Sequence, residues 1–451
     1  MNLQKYNGDI SKIDFLDLMM LDISGNIHHV SIPKGYISKK IFNEGIGFDA
    51  SNFGFAHVNK SDMVAIPDMD TAFLEIKDEF NILHVLCNVE DPFTGNIFEQ
   101  YPRNIVKLTQ KYLKDNNIAD DAKMLVELEM YVFDNVEYST SEDHSYYSLE
   151  SEEGLGDNYN LSPRMGLKKG YHGLYPKEKY FSFRNNVVST LEKANIPVKY
   201  HHHEVGLAQL EIELNFMSLL KVADNVSLAK WIIKNIANEM GLYVTFMPKP
   251  MYKMPGNGMH VHQFLEKNGE SIFTGDALHG LSETALYYTC GLLDHSLTGS
   301  LLAFTNPSTN SFRRLVPGYE APISATFAKG SRSAAIRIPG YLKGKDIRIE
   351  YRTGDATANI YYMASAMVLA GVDGINKKES PVDKGYHSAE EKSDMIFPLN
   401  LEKVLEGLEK DKEYLLKVFP EGLIKDWIKL KKEEAAYVYN APTPQEFELY
   451  F

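Results

Sequence analysis

Four short segments combine acidic, histidine and arginine side chains at the two-residue spacing of a β-strand. In Met124–Phe133 (MLVELEMYVF) that spacing puts Glu127 and Glu129 on one face and Val126, Leu128, Met130 and Val132 on the other. In Leu210–Leu214 (LEIEL), Glu211 and Glu213 share a face opposite Leu210, Ile212 and Leu214. Gly258–Phe264 (GMHVHQF) groups His260 with His262, and Lys345–Arg352 (KDIRIEYR) groups Arg348, Glu350 and Arg352. Each segment alone reads as the polar face of a half-exposed strand. Together they read better as several strands lining one polar cavity. Carboxylates crowded into one cavity are unfavourable unless cations neutralise them. Several Glu with one His form a hard donor set, suited to Mg²⁺ or Mn²⁺ rather than to structural zinc, which favours Cys and His. Arginines beside such a site suit a phosphorylated or carboxylate substrate, because the guanidinium fork matches both anions.

The elements that must position these faces are legible in outline. The first hundred or so residues read as short strands and turns, with Asn81–Asn88 (NILHVLCN) an apolar strand and Pro92 and Gly95 closing the region. Pro102–Asp115 has helical spacing, which places a domain boundary near residue 100 and divides the chain into 1–100 and 101–451. Val226–Gly241 reads as a helix ended by its glycine. Ser282–Phe304 and Asn359–Asp373 read as long, largely buried helices, Leu399–Val438 as a solvated helical region, and 139–163 as a long surface loop. No internal repeat or low-complexity tract interrupts the chain.

Composition narrows the function classes. A length of 451 residues favours two domains over one and leaves ample chain for a large core. With 44% hydrophobic and 24% charged residues, the chain has the make-up of an ordinary globular protein. Lys and Arg number 47 against 61 Asp and Glu, a formal charge of −14, which argues against a nucleic-acid-binding surface. The two cysteines, Cys87 and Cys290, offer no disulfide framework, so a reducing compartment is expected. No signal peptide fits the N-terminal stretch and nowhere do ~18 apolar residues run together. The expectation is a cytoplasmic protein with neither a nucleic-acid nor a membrane partner.

Longer motifs then carry a resemblance. Asn306–Pro322 (NPSTNSFRRLVPGYEAP) is joined by Thr245–Pro250 (TFMPKP), Gly258–His260 (GMH), His202–Val205 (HHEV), Arg332–Pro339 (RSAAIRIP) and Gly371–Ile375 (GVDGI). Phe48–Asp49, Ser61–Met63 (SDM) and Ile66–Thr71 (IPDMDT) precede them. This ordered set resembles the type I glutamine synthetase family over nearly the whole chain. The resemblance implies an α+β fold: a small N-terminal β-grasp-like domain, then a large catalytic domain whose antiparallel strands form half of an active-site funnel flanked by helices. It also implies a homo-oligomer, a dodecamer of two stacked six-membered rings with active sites between subunits.

Carried over residue by residue, the resemblance implies that Glu129, Glu204 and Glu211 hold one divalent cation, and Glu127, His260 and Glu350 a second that bridges to ATP. Arg314 and Arg352, with Gly256, would bind glutamate. Arg332 and Arg337 would stabilise the transferring phosphoryl group. His262, Phe264, Arg348 and Lys199 fall on the nucleotide side. Asp49 of the adjoining subunit would deprotonate ammonium, Glu320 would close over the site, and Tyr171 would line the ammonium pocket. The implied reaction is ATP-dependent condensation of glutamate with ammonia through γ-glutamyl phosphate.

Four positions depart from the family's usual pattern. Pro255 precedes Gly256 where an Asn is usual, Lys199 replaces a Glu, Phe264 replaces a Ser, and Asn52 replaces a Ser in the loop after Asp49. The altered loop motivates a runner-up, a glutamate–amine ligase for a polyamine or alkylamine. A catalytically silent regulatory relative is the third reading. The chain lacks room for the insertion that carries an adenylylated tyrosine in some relatives, so feedback by small molecules or a regulatory protein partner is expected instead.

Overall fold

The computed structural model describes residues 1–56, 60–157 and 163–451. Its N-terminal part is a mixed sheet ordered Leu3–Lys5, Phe73–Lys77, Phe80–Glu90, Phe15–Leu21, Ile27–Pro33. Phe15–Leu21 runs parallel to Phe80–Glu90, and the pair Ile46–Asp49 and Asp62–Pro67 extends from the latter strand. The expected apolar strand over Asn81–Asn88 lies inside Phe80–Glu90, with Leu83, Val85, Leu86 and Cys87 buried.

The second sheet positions the site. Its order is Val198–His203, Gln209–Leu214, Asp121–Phe133, Met259–Lys267, Ile349–Tyr351, Ile336–Ile338, Phe327–Lys329. Its pairings are antiparallel except the last, which is parallel. Each central strand turns Val, Leu, Ile or Met toward helices packed behind it: Val126, Leu128, Leu210, Ile212 and Met259 are all buried. That leaves the alternate, charged positions to face the cavity.

The helices differ from the sequence reading in instructive ways. Pro102–Asp115 forms as expected, with proline in its first turn. The helix expected from Val226 instead begins at Leu219 and runs to Glu239, with Gly241 at positive φ just beyond. Asp224 breaks the apolar pattern, yet it is buried as an ion-pair partner inside that helix. The single helix expected over Ser282–Phe304 is two, Glu283–Leu297 and Leu302–Thr305. Gly299 separates them at φ +90°, a conformation that L side chains rarely adopt. The last long buried helix spans Ile360–Lys377, capped by the Asn359 side chain.

Two further expectations are corrected. The stretch read as a surface loop over 139–163 contains half of a hairpin, Asn135–Thr140 with Ser145–Glu150, whose Tyr138, Tyr146 and Tyr147 are exposed. With no buried face, its strands show no apolar alternation. Ser151 and Glu153 beyond it are buried, and 158–162 lie outside the described residues. The region expected to be solvated, Leu399–Val438, holds helices Leu401–Lys410 and Glu421–Tyr439. Leu405, Leu408, Leu423 and Trp427 are buried there, and the Trp427 indole donates to the Ala303 carbonyl at 2.9 Å. The Lys and Glu residues cover the outer face, except for Lys431, which is buried and pairs with Glu434 at 2.8 Å. No helix among the described residues is long and apolar enough to cross a membrane.

One buried cation ties the N-terminal sheet to the helix Leu219–Glu239. Arg103, at 0% exposure, donates to both oxygens of Asp224 at 2.8 Å, to Asn88 at 2.7 Å and to Asp68 at 3.0 Å. Tyr361 adds a hydroxyl to Asp224 at 2.8 Å. Removing one member of a buried pair leaves the other charge without compensation. Arg103→Leu is therefore expected to cost ~3–5 kcal/mol, read as a lower urea midpoint, and adding Asp224→Leu should recover part of the loss. A single variant that unfolds at the parent's midpoint would contradict this role.

Candidate active site

Strand register brings the charged faces into apposition. Glu211 lies directly opposite Glu129, and Glu213 opposite Glu127. On the other side of the same strand His260 lies opposite Glu127, and one strand further His262 lies opposite Glu350. The result is a cavity of about 330 Å³ whose lining includes Glu127, Glu129, Glu204, Glu211, His260 and Glu350. Arg314, Arg332, Arg337, Arg352, Tyr171, Gly256 and Glu320 line it too.

The acidic residues fall into two electrostatic halves. In the first, Glu204 and Glu211 meet His202, with ligand atoms within 4.8 Å of one another. Among the described residues no lysine or arginine pairs with Glu204 or Glu211. Burial, and then the charges of Glu129 and Glu211, push the Glu204 carboxyl up to about 9. Burial and the charges of Glu127 and Glu129 likewise raise Glu211 well above the usual carboxylate range. Glu129 stands beside them, its Oε2 accepting from the Gly258 amide at 2.7 Å. This half holds more negative charge than its protein neighbours compensate. A hard divalent cation fits it by charge and by donor type.

In the second half, Glu127, His260 and Glu350 form a buried triad of ligand atoms. Burial acts to raise Glu127, but His260 at 2.8 Å and His262 at 2.9 Å hold it well below the usual range. Glu350 is also lowered: against burial act the charges of Arg352 and His262. Arg337 donates to Glu350 at 2.6 Å, and Arg352 donates to its other oxygen. A third cluster, Glu127 with Glu213 and His262, adjoins it. Among the described residues, the His262 Nδ1, Arg337 Nε and Arg348 Nε atoms are buried without a hydrogen-bond partner. Buried polar atoms of this kind are costly unless something pairs with them.

The arginines are held in different ways. Arg314 is buried, donating to the Thr353 carbonyl at 2.8 Å and the Arg352 carbonyl at 3.2 Å. Its approach requires glycine opposite: a Cβ on Gly256 would lie 2.7 Å from Arg314 Cγ, and one on Gly258 2.6 Å from Arg314 Nη2. Arg332 is half-exposed at the mouth, 3.6 Å from Glu320 and 3.5 Å from the Tyr171 hydroxyl. Arg352 Nη2 reaches the Glu320 carbonyl at 3.5 Å. The segment carrying Glu320 is thus tethered over the mouth by two arginines.

Several expected site residues lie off this cavity. Phe264 packs beside Phe216 with centroids 5.4 Å apart, and Arg348 sits over the Phe216 ring at 5.0 Å. Lys199 donates to Glu213 at 2.7 Å rather than facing the cavity. His262 is likewise not among the lining residues, although it meets Glu127 at 2.9 Å. Glu213 and His202 join the clusters of possible metal ligands without any role that the family resemblance assigns them. His202 is opposite Glu211 across the strand pair, a neighbour that only the register discloses. Asp49 is not brought to the cavity at all: it ends Ile46–Asp49, exposed, and among the described residues none of the N-terminal domain lines the funnel. The Ser51 amide and the Ser61 and Ser51 hydroxyls hold its carboxyl below the usual range. Asn52 follows it in an exposed turn.

Comparisons with known proteins agree with this architecture. The model for "Glutamine synthetase, beta-Grasp domain" matches residues 12–92, and that for "Glutamine synthetase, catalytic domain" matches residues 99–450. Glutamine synthetase of Aquifex aeolicus is 40% identical, with 97% of this chain and 96% of that protein covered. The Nostoc sp. glutamine synthetase is 38% identical over 98% of this chain and 97% of its own length. The cryo-electron microscopy structure of Plasmodium falciparum glutamine synthetase superposes with a TM-score of 0.91 at 26% identity, covering both chains completely. The matches to both parts of the chain and to full-length relatives therefore place this protein in the glutamine synthetase family.

Proposed function

We propose that the protein condenses glutamate with ammonium at the expense of ATP, giving glutamine, ADP and phosphate. The observation that carries this reading is one cavity holding two groups of possible metal-ligand residues and four arginines. Such a site suits a reaction between two anionic substrates. Divalent cations, Mg²⁺ or Mn²⁺, would be held by Glu129, Glu204 and Glu211 and by Glu127, His260 and Glu350, and would supply positive charge beside the phosphoryl oxygens.

The chain's own residues supply the rest. Arg314 and Arg352, fixed by backbone and carboxylate partners, would bind the glutamate carboxylates beside Gly256. Arg337 and Arg332 would offset charge on the phosphoryl group as it passes from ATP to the γ-carboxylate, forming γ-glutamyl phosphate. His262, Phe264, Arg348 and Lys199 flank the nucleotide. Asp49, a carboxylate that its serine contacts help to keep ionised, would take a proton from ammonium. The amine then attacks the acyl carbon and phosphate leaves. Glu320, with Tyr171 beside Arg332, would close the mouth against water, which would otherwise hydrolyse the acyl phosphate.

Among the described residues none from the N-terminal domain lines the funnel, so this reading takes Asp49 from a neighbouring subunit of a head-to-tail ring, two such rings forming a dodecamer. The chain divides near residue 100 into the domain that carries Asp49 and the domain that carries the funnel. Both cysteines are free and buried, which agrees with a cytoplasmic setting.

Purified protein should convert glutamate, ATP and ammonium to equal amounts of glutamine and ADP, and excess chelator should abolish the reaction. An amine panel at equal concentration includes the alternative: preference for an alkylamine or polyamine over ammonium would replace this acceptor assignment. Failure to form any γ-glutamyl product would overturn the reading. Subunit sharing has its own test. Asp49→Ala and Glu320→Ala should each be nearly inactive, yet their co-assembled mixture should regain activity at about one site in four. Verified mixed oligomers as inactive as their parents would place Asp49 in its own chain's site or outside catalysis.

A further inference from the structure

The segment that carries Glu320 also carries Tyr319, whose ring is half-buried between two loops. Lys249 Nζ lies 3.7 Å from the Tyr319 ring centroid and Lys168 Nζ lies 4.9 Å from it. The two lysines come from separate stretches of chain, one in the turn after Met165 and one just before Pro250. Lys249 is itself held in place, its amide donating to Asn310 at 2.6 Å and its ammonium to the Met254 carbonyl. Burial, then the charges of Lys168 and Arg314, lower Lys249 to about 8, so at neutral pH it keeps its proton.

We infer that Lys249 and Lys168 are positioning residues that latch the Glu320 segment shut by cation–π contact with Tyr319. The negative face of the ring attracts both ammonium groups, which otherwise repel each other. Opening the segment breaks both contacts at once and leaves the lysines facing each other without the ring. Arg332 lies 3.6 Å from the Glu320 carboxylate, and Arg352 donates to the Glu320 backbone carbonyl at 3.5 Å. The Arg332–Glu320 pair is exposed, and a surface salt bridge of that kind is weak on its own. The aromatic latch is therefore what sets how long the mouth stays closed.

This inference rests on the proposed ligase reaction, and the closing experiment separates the two. With the mouth open, water reaches γ-glutamyl phosphate and returns glutamate and phosphate, so ATP is consumed with no glutamine formed. The readout is the ratio of ADP to glutamine with glutamate, ATP, Mg²⁺ and ammonium supplied. Parent protein should give a ratio near one. Tyr319→Leu and Lys249→Met should raise the ratio by roughly 2- to 5-fold. Tyr319→Phe and Lys249→Arg, which keep the ring and the charge, should hold the parental ratio. Tyr319→Leu coupled as tightly as the parent would overturn the latch, as would equal uncoupling in Tyr319→Phe and Tyr319→Leu. A parent that makes no glutamine would instead overturn the ligase reading.

Discussion

Glu129 faces Glu211 across two hydrogen-bonded strands, and Glu127 faces Glu213 on the same strand pair. Like charges directly opposite on neighbouring strands are destabilising, and more so where water is excluded. These carboxylates are fixed there because one face of each strand is spent on the core: Leu128, Leu210 and Ile212 are buried against the helices behind. A one-residue slip would bury the charges and expose the apolar residues, so register and charge apposition are inseparable. The rest of the site is organised around relieving this repulsion.

Relief comes from two directions. Around Glu127 and Glu350 the protein supplies it, through His260, His262, Arg337 and Arg352. Around Glu204 and Glu211 it does not, and burial together with neighbouring carboxylates raises both. The asymmetry means that one half is structurally settled while the other stays receptive to a cation. Arg352, which helps settle the Glu127–Glu350 half, also tethers the Glu320 segment over the mouth. Ligand placement and closure thus share a side chain, which couples the charge state of the funnel to its access.

Much of this is legible in the amino-acid sequence, for a physical reason. Strands with one buried face alternate, so spacing alone assigns Glu127, Glu129, Glu211, His260 and Glu350 to the polar faces of their strands. What period-two patterning cannot disclose is which strand lies beside which. Spacing puts Glu213 on the polar face as well, but that it meets Glu127, and that His202 meets Glu211, comes only from the register. The hairpin around Tyr138 and Tyr146 leaves no pattern because neither of its faces is buried. The early start of the Leu219–Glu239 helix is hidden because Asp224, polar by type, is paired with a distant Arg103. Short-range pattern reports burial; partners far apart along the chain are reported only by the fold. The ordered motifs of the family point to Glu204, Asp49 and Glu320, which no periodicity marks.

The central claim is that Glu129, Glu204 and Glu211 are held together against their mutual repulsion and that a cation reverses the sign of that energy. Thermal unfolding of the parent and of Glu211→Gln, each in chelator and in saturating Mn²⁺, tests it directly. In chelator the variant should unfold at or above the parent's temperature, since it has lost a carboxyl crowded by its buried neighbours. In Mn²⁺ the order should invert, the parent gaining about 2.7 kcal/mol per site at 100 times the dissociation constant while the variant gains less. A variant that is less stable than the parent in chelator, or that gains as much as the parent from Mn²⁺, would contradict the account.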